Sequence, residues 1–182
     1  MDDMVKQAMA KWPNVPDCYG WLGLDSRGQW HMRDDRVQSL GSYQSAVSGA
    51  KGSVLKHEKL LAFIHRNYAK DDQGQWFFQN GPQRVYVELE ITPYVWRLDA
   101  HFVPTAQTGE STQVLACLMD EVGRVYLHTH LGFGLVHSMD VARVADALEQ
   151  GRWLLTDCES RALPTEYGFV TSPQAVAKAK PP

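Results

Sequence analysis

The chain has 182 residues, of which 44% are hydrophobic and 21% are charged, and its formal net charge is −3. This composition excludes a largely disordered chain, and the length allows one substantial domain or two small ones. The weak negative charge argues against a general nucleic-acid-binding protein. No apolar run approaches the ~20 residues of a membrane-spanning helix, and the acidic N-terminus does not resemble a signal peptide. We therefore predict a cytoplasmic protein without membrane contact.

The cysteines Cys18, Cys117 and Cys158 are odd in number and far apart, and they form no C-x-x-C pair. This pattern argues against a disulfide framework or a cysteine-ligated zinc site, and it fits a reducing compartment. Cys117 lies in an apolar run that predicts a buried strand, where a thiol usually acts as a small hydrophobe. We expect no cofactor.

The first predicted elements are a helix and a hairpin. Apolar residues at helical spacing predict a short amphipathic helix over residues 2–11, which Pro13 ends. Its apolar face must pack on the main body or on a partner. A strand over 19–24, a tight turn and a strand over 29–32 then predict a β-hairpin.

The turn of this hairpin belongs to a repeated pattern. Asp-x-x-Gly occurs at residues 25–28, 71–74 and 120–123, and each copy is followed by an aromatic residue two or three positions later. Aspartate opens such a turn by bonding to its own backbone, and glycine closes it with a positive φ. The three copies indicate either reuse of a favourable turn or internal duplication.

Two further helices are predicted, over residues 57–68 and 139–150, because each carries an apolar stripe at helical spacing. Ser138 is the expected N-cap of the second, and Gly151 is placed to cap its C-terminus. Residues 41–53 are small and polar and predict a flexible surface loop. The terminal residues 177–182 are expected to be a frayed tail.

The most informative stretch is 84–102. Strict alternation of polar and apolar residues over 84–91 predicts a half-buried strand, and a second strand is predicted over 94–102 after Thr92 and Pro93. We predict that these two strands form the central sheet. The polar face of the first strand is either a solvated sheet face or the floor of a polar groove, and it carries Arg84, Tyr86, Glu88 and Glu90.

Three histidines form the best metal-like pattern. His128 and His130 share one face of a predicted strand, and His137 follows seven residues after His130. Two imidazoles about 7 Å apart on one strand face can reach one ion. His137 could fold back to join them, and Glu88 or Glu90 could add a carboxylate. The alternative is two partly exposed histidines on a polar sheet face, which would titrate near neutral pH.

The order of motifs resembles a known family. Gly-x-Trp-His at 28–31, the helix at 60–64, the acidic hairpin at 71–76 and the alternating strand ending at Pro93 and Tyr94 resemble the proteobacterial domain-of-unknown-function family 1285 or a sister family. The resemblance covers residues 20–150. It implies a duplicated pair of small α+β units, the second superficially like a pleckstrin-homology domain, with any ligand site between the units. It also implies signalling or ligand sensing, with a nucleotide-like ligand among the candidates.

Together these patterns predict an α+β fold of two small, packed subdomains with mainly antiparallel sheets, each carrying a helix. The predicted divisions are 1–18 for the N-terminal helix and linker, 19–80 for the first subdomain, 81–156 for the second and 157–182 for a C-terminal extension.

Our leading hypothesis is a non-enzymatic ligand-binding or regulatory protein that acts in signal transduction. A small polar, anionic or nucleotide-like ligand would lie in the cleft between the subdomains. Arg84 and Arg97 would supply charge and hydrogen bonds, Trp30 and Trp96 would stack, and His31 would add a polar contact. The alternatives are a metal-binding protein or metal-dependent hydrolase built on the three histidines, and a scaffold that pairs with a second copy or a protein partner through its N-terminal helix.

Overall fold

The computed structural model describes residues 1–179, and within them the chain forms two separate sheets of six strands. The helices of this part of the chain are α1 (Asp3–Lys11), α2 (Asp35–Leu40), α3 (Glu58–Arg66), α4 (Val141–Glu149), α5 (Leu163–Glu166) and α6 (Pro173–Ala179). In residues 1–179, no helix combines the length and the apolar character that crossing a membrane requires.

The strands are short and follow one another closely along the chain. They are β1 (Cys18–Leu24), β2 (Trp30–Met32), β3 (Ser53–Val54), β4 (Tyr68–Lys70), β5 (Trp76–Asn80), β6 (Gln83–Leu89), β7 (Tyr94–Leu98), β8 (Pro104–Ala106), β9 (Val114–Met119), β10 (Val125–Thr129), β11 (Phe133–Val136) and β12 (Leu155–Asp157). The chain divides into unit 1, with residues 1–25, 29–90 and 169–179, and unit 2, with residues 26–28 and 91–168.

In unit 1 the strand order is β3-β2-β1-β6-β5-β4, and only β1 and β6 run parallel to each other. In unit 2 the order is β12-β9-β10-β11-β7-β8, where the pairs β7–β11 and β9–β12 are parallel. Each unit carries helices as well as a mainly antiparallel sheet. The predicted α+β class is therefore confirmed.

The two sheets share one connectivity. Each contains a hairpin (β1–β2 or β7–β8) and a three-stranded meander (β4–β5–β6 or β9–β10–β11). In each, the last strand of the meander pairs in parallel with the first strand of the hairpin. This repeat of five strands is what internal duplication produces. Helix α4 follows the meander of unit 2.

The aspartate turns occur at equivalent places in this repeat. In the three predicted turns, the Oδ1 atom of the aspartate accepts a hydrogen bond of 2.8 Å from the backbone N–H four residues later. A fourth turn has the same pattern: Asp99 Oδ1 accepts from the N–H of Val103 at 2.9 Å. Phe102 stands at its glycine position with a φ of +64°.

The prediction of one central sheet from residues 84–91 and 94–102 is wrong, because β6 and β7 belong to different sheets. The connection between them is held within unit 2, where the Thr92 hydroxyl donates to the carbonyl of Tyr94 and accepts from the N–H of Leu135. The second strand also ends at Leu98 rather than at Phe102. Its alternating pattern continues through the fourth turn and hides that turn.

The division between units falls later than the boundary predicted near residue 80. Strand β6 pairs with β5 and stays in unit 1, and unit 2 begins its main segment at Ile91. Residues 169–179 return to unit 1, although the sequence placed them in a separate C-terminal extension. Helix α6 includes residues 177–179, so the frayed tail predicted there is wrong, and residues 180–182 lie outside the described part of the chain.

The other helices match their predictions with shifted ends. Residues 58–66 form α3. The last predicted helix is a 3-10 turn (Ser138–Asp140) followed by α4, and Ser138 is not its N-cap. Instead, His137 precedes the turn, and its Nδ1 atom accepts from the N–H of Met139 at 3.1 Å. An imidazole nitrogen thus takes the role that we assigned to a serine hydroxyl.

Candidate ligand-binding site

The polar face of β6 is covered, although its alternating sequence also fits a solvated sheet face. Tyr86 and Glu88 are buried, and Arg84 and Glu90, at the two ends of the row, are partly exposed. Residues of the 41–53 segment and of the C-terminal segment of unit 1 contact this row. The covered face leads from a cavity beside Arg84 to a buried layer of polar residues around Glu88.

Glu88 is the acceptor at the centre of this layer. Its carboxylate accepts from the Ser172 hydroxyl at 2.6 Å, from the Gln174 N–H at 2.9 Å and from the Gln44 side-chain amide at 3.3 Å. A buried carboxylate is tolerated only when it is hydrogen-bonded or paired. Residues from two distant parts of the chain therefore supply the hydrogen-bond donors around the Glu88 carboxylate.

Arg33 is the buried cation of the same layer. Its guanidinium donates to the carbonyls of Ala50 at 2.7 Å, Gly41 at 2.5 Å and Gly20 at 3.3 Å. Burial lowers the pKa of Arg33, and the charge of Glu88 opposes that shift. Two of the three carbonyls belong to residues 41–53, which form the predicted surface loop of mostly exposed turns, and these bonds anchor that loop near the buried Tyr43 and Ala50.

Tyr43 and His31 each have a buried polar atom that no other residue of the described chain contacts with a hydrogen bond. The Tyr43 ring lies over Gly23, where an added Cβ would be 2.3 Å from the ring, and its centroid is 5.9 Å from that of His31. His31 Nε2 contacts Asp25 Oδ2 at 3.1 Å. Among the described residues, neither His31 Nδ1 nor Tyr43 Oη has a hydrogen-bond partner. Burial, followed by the charges of Asp25 and Glu90, raises the pKa of Tyr43.

The cavity at the other end of the row has a volume of about 610 Å³. Residues 12–17 and Met9 line one side, and Gln79, Pro82 and Arg84 from the β5–β6 hairpin line the other. We call this space the Arg84 cavity. It lies entirely within unit 1.

An aromatic stack holds the Arg84 guanidinium in place. The guanidinium carbon lies 4.8 Å from the ring centroid of Phe77, and a hydrogen bond with Tyr86 raises the pKa of Arg84. The Tyr86 ring stacks on Tyr19 at 4.6 Å, and its hydroxyl donates to Asp71 at 3.1 Å. Arg84 is therefore a fixed positive charge at the cavity.

Gln79 adds a buried amide to the wall of the cavity. Its side chain is only 1% exposed, and its Nε2 donates to the carbonyl of Gly81 at 2.9 Å. Its Oε1 has no hydrogen-bond partner within residues 1–179. Because unpaired buried acceptors are rare, this atom is a polar group whose hydrogen bonding the described residues leave incomplete.

The N-terminal wall of the cavity is anchored at both ends. The Asp2 N–H donates to Asn67 Oδ1 at 2.9 Å, and the Asp2 carboxylate pairs with Arg66 at 3.3 Å. Further along, the Gln83 side chain donates to the carbonyl of Pro16 at 3.0 Å. The apolar face of α1 packs on unit 1 only in part, because Val5 is buried whereas Met4 and Trp12 stay exposed.

The five residues predicted to bind ligand belong to both units: Trp30, His31 and Arg84 to unit 1, and Trp96 and Arg97 to unit 2. Trp30 and Trp96 are buried, and their indole N–H groups donate to His65 Nε2 at 3.0 Å and to the Leu127 carbonyl at 3.1 Å. Both rings are used in the cores of their units and expose no face on which a ligand could stack.

The remaining three predicted residues are polar and occupy different surroundings. Arg97 lies in unit 2 and pairs with Asp140 at 2.5 Å. His31 lies beside Tyr43, and Arg84 lines the cavity. Of the five, Arg84 therefore has the surroundings of a ligand-binding residue.

The three histidines of the metal hypothesis lie in different local settings. His128 packs edge-on against Tyr167 at 5.1 Å, and His130 lies exposed beyond the end of β10. His137 caps the 3-10 turn through Nδ1. In the described part of the chain, no group of three or more His, Cys, Asp or Glu residues is placed to hold a metal ion.

Sequence reasoning missed several residues of this site. Gln79 is a polar residue at the end of the aromatic run Trp76–Phe78, and that break in an apolar strand was the available signal. Tyr43, the one aromatic residue of the 41–53 segment, was a similar signal. For Asp17 and Trp12 the sequence contains no such signal, because only the folding of the N-terminal segment brings them close to β6.

Comparison with known proteins gives a family but no activity. The family model DUF2944, described as "Protein of unknown function (DUF2946)", matches residues 1–174. A DUF1285 family protein from Silicibacter pomeroyi DSS-3 is 12% identical, with 80% of this chain and 84% of that chain covered and a TM-score of 0.48. A DUF1285 family protein from Shewanella baltica OS155 is 14% identical, with 69% and 91% covered and a TM-score of 0.45. No curated protein matches this chain. The match over residues 1–174 confirms the expectation of an uncharacterised family.

Proposed function

Because this chain belongs to the DUF2944 family, whose description names no activity, we propose its function from its own residues: it binds a small polar or anionic ligand in the Arg84 cavity. The observation that carries the proposal is the fixed guanidinium of Arg84 at a cavity of about 610 Å³. Ligand pockets in proteins typically measure about 300–1,000 Å³. The proposal places the site within unit 1 rather than in a cleft between units.

Arginine suits this role because its planar guanidinium can bind a carboxylate or phosphate through two parallel hydrogen bonds. Phe77 and Tyr86 already fix the orientation of Arg84, so little side-chain freedom is lost when a ligand binds. The apolar side chains of the wall add contact area. Such a lining selects a ligand with one anionic group and an apolar part.

The lining favours binding over catalysis. Among the described residues that form it, Asp17 and Arg84 are the ionisable ones, and the rest are apolar, amide or proline side chains. General acid–base and nucleophilic catalysis need a base, an acid or an activated nucleophile within reach of the substrate. A regulatory protein needs only affinity and a response, and the N-terminal wall of the cavity is the segment that a ligand would restrain.

The test is a thermal-shift and calorimetric screen of tag-free protein against carboxylates, amino acids, nucleotides and phosphorylated metabolites. A ligand at 100 times its dissociation constant adds about 2.7 kcal/mol of stability. For a protein of this size, that corresponds to a rise in Tm of several degrees.

The variant Arg84→Ala should lose the shift. Arg161→Ala is the matched control, because Arg161 lies in unit 2 with a side chain that is 86% exposed, and it should keep the shift. Equal ligand shifts in both variants would place the site elsewhere and overturn the proposal.

A further inference from the structure

The charges lining the Arg84 cavity cancel. Arg84 is positive and Asp17 is negative, and the other lining residues carry no formal charge. Asp17 is exposed, and the pKa of Arg84 is raised first by its hydrogen bond with Tyr86 and further by the negative charges of Asp17 and Asp71. Both charged side chains belong to the lining of the one cavity of about 610 Å³, where a ligand would contact them.

This arrangement separates two classes of ligand. A phosphate group or a nucleotide gains from Arg84 but is repelled by Asp17, so a lining with no net charge gives a dianion little advantage. A zwitterion gains from both groups, provided that its own charges are a few ångströms apart. Free α-amino acids meet this condition, because the carboxylate and the ammonium group are attached to the same carbon.

The uncharged part of the lining also fits an amino acid, because it offers apolar surface for a side chain. Trp12 is 51% exposed and lines the cavity together with Met9 and Val15. Large apolar side chains at a cavity wall favour an apolar or aromatic group on the ligand.

On these grounds, and resting on the function proposed above, we propose that the ligand is a free α-amino acid with an apolar or aromatic side chain. Its carboxylate is bound by Arg84, its ammonium group faces Asp17, and its side chain packs against Trp12 and Met9. The pair Arg84 and Asp17 sets the class of ligand, and the apolar wall sets the preferred side chain.

The experiment is titration calorimetry of the tag-free full chain with defined probes. L-phenylalanine and L-leucine are compared with N-acetyl-L-phenylalanine, which lacks the ammonium charge, and with L-phenylalaninamide, which lacks the carboxylate. Adenosine monophosphate and inorganic phosphate represent anions. Losing a hydrogen bond to a charged group weakens binding by about 10-fold to 100-fold, and we expect that loss for each of the two modified amino acids.

The variant Asp17→Asn should change the affinities for two of the probes in opposite directions. We expect it to weaken L-phenylalanine binding by about 10-fold or more and to strengthen binding of N-acetyl-L-phenylalanine, because a repulsive charge is removed. Asp17 is exposed, so the melting temperature without ligand should stay at the wild-type value, which confirms that the variant is folded. Arg84→Ala should weaken binding of both probes.

The experiment distinguishes a failure of the amino-acid proposal from a failure of the proposed function. If adenosine monophosphate or phosphate binds in an Arg84-dependent manner, and Asp17→Asn strengthens that binding while no amino acid binds, the proposed function stands and the amino-acid class is overturned. If no probe binds, or if binding is the same in Arg84→Ala, both proposals are overturned.

Discussion

Removing one oxygen atom from Tyr43 should make the protein more stable. The Tyr43 side chain is 0% exposed, and its hydroxyl has no hydrogen-bond partner among the described residues. Mutational data put the cost of a buried, unbonded hydroxyl at about 1–3 kcal/mol. Tyr43→Phe removes that cost and keeps the ring in place over Gly23 and edge-on to His31.

We therefore expect the free energy of unfolding to rise by about 1–3 kcal/mol, with each kcal/mol corresponding to about 2–4 °C in Tm for a chain of this length. Tyr86→Phe is the matched control in the same unit. Tyr86 is 3% exposed, but its hydroxyl donates to the carboxylate of Asp71 at 3.1 Å. Losing a hydrogen bond to a charged group should lower the free energy of unfolding by about 1.5–3 kcal/mol.

The assay is urea unfolding of the three proteins, followed by tryptophan fluorescence and by calorimetry. The free energy of unfolding should be higher than that of the wild type in Tyr43→Phe and lower in Tyr86→Phe. A Tyr43→Phe protein that is less stable than the wild type would refute the reasoning. It would mean that the hydroxyl is hydrogen-bonded in solution, through bound water or another molecule next to His31.

Three further predictions test other parts of the structure. Gly123→Ala should lower the free energy of unfolding by about 1–2 kcal/mol through backbone strain alone, because its φ is +81° and an added Cβ meets nothing within 4 Å; chemical denaturation measures this. Gly23→Ala should cost about 1–3 kcal/mol, because its Cβ would lie 2.3 Å from the Tyr43 ring, and a double-mutant cycle with Tyr43→Val should recover most of the loss. Hydrogen bonds from the Ser160 hydroxyl and N–H lower the pKa of Glu121 from its ordinary 4.5 to about 2, so this stabilisation is complete above pH 4.5 and fades as the pH falls towards 2. Melting curves between pH 2 and 6 should show a smaller fall in Glu121→Gln than in the wild type, and equal falls would contradict the assignment.

Local patterns carried most of the correct predictions about the fold. The helices at 3–11 and 58–66 follow from apolar spacing, and the three Asp-x-x-Gly turns follow from the chemistry of two residues each. The fourth turn was missed because Phe102 replaces the glycine, and a phenylalanine with positive φ has no signature in sequence. Its turn is recognisable only from the backbone bonds to Asp99.

The long-range arrangement could not be predicted in the same way. Alternation shows that β6 has one apolar face, but it does not show that the parallel partner of β6 is β1 rather than β7. The same distinction between local and long-range information applies to the candidate site. Arg84 was predicted because a charge on an alternating strand is easily recognised, and it lines a cavity, whereas the burial of Trp30 and Trp96 depends on neighbours from elsewhere in the chain.

The return of residues 169–179 to unit 1 has a consequence for the order in which a nascent chain can fold. Glu88 is made early, but two of its hydrogen-bond donors, Ser172 and Gln174, are made only after all of unit 2. The backbone N–H of Leu89 likewise donates to the carbonyl of Thr171, which is also synthesised after unit 2. At the usual synthesis rate of about 5–20 residues per second, the carboxylate lacks these donors for several seconds, and a buried carboxylate left unpaired is strongly destabilising. Unit 1 is therefore begun first on the ribosome, and its polar layer is completed only when the C-terminal segment emerges.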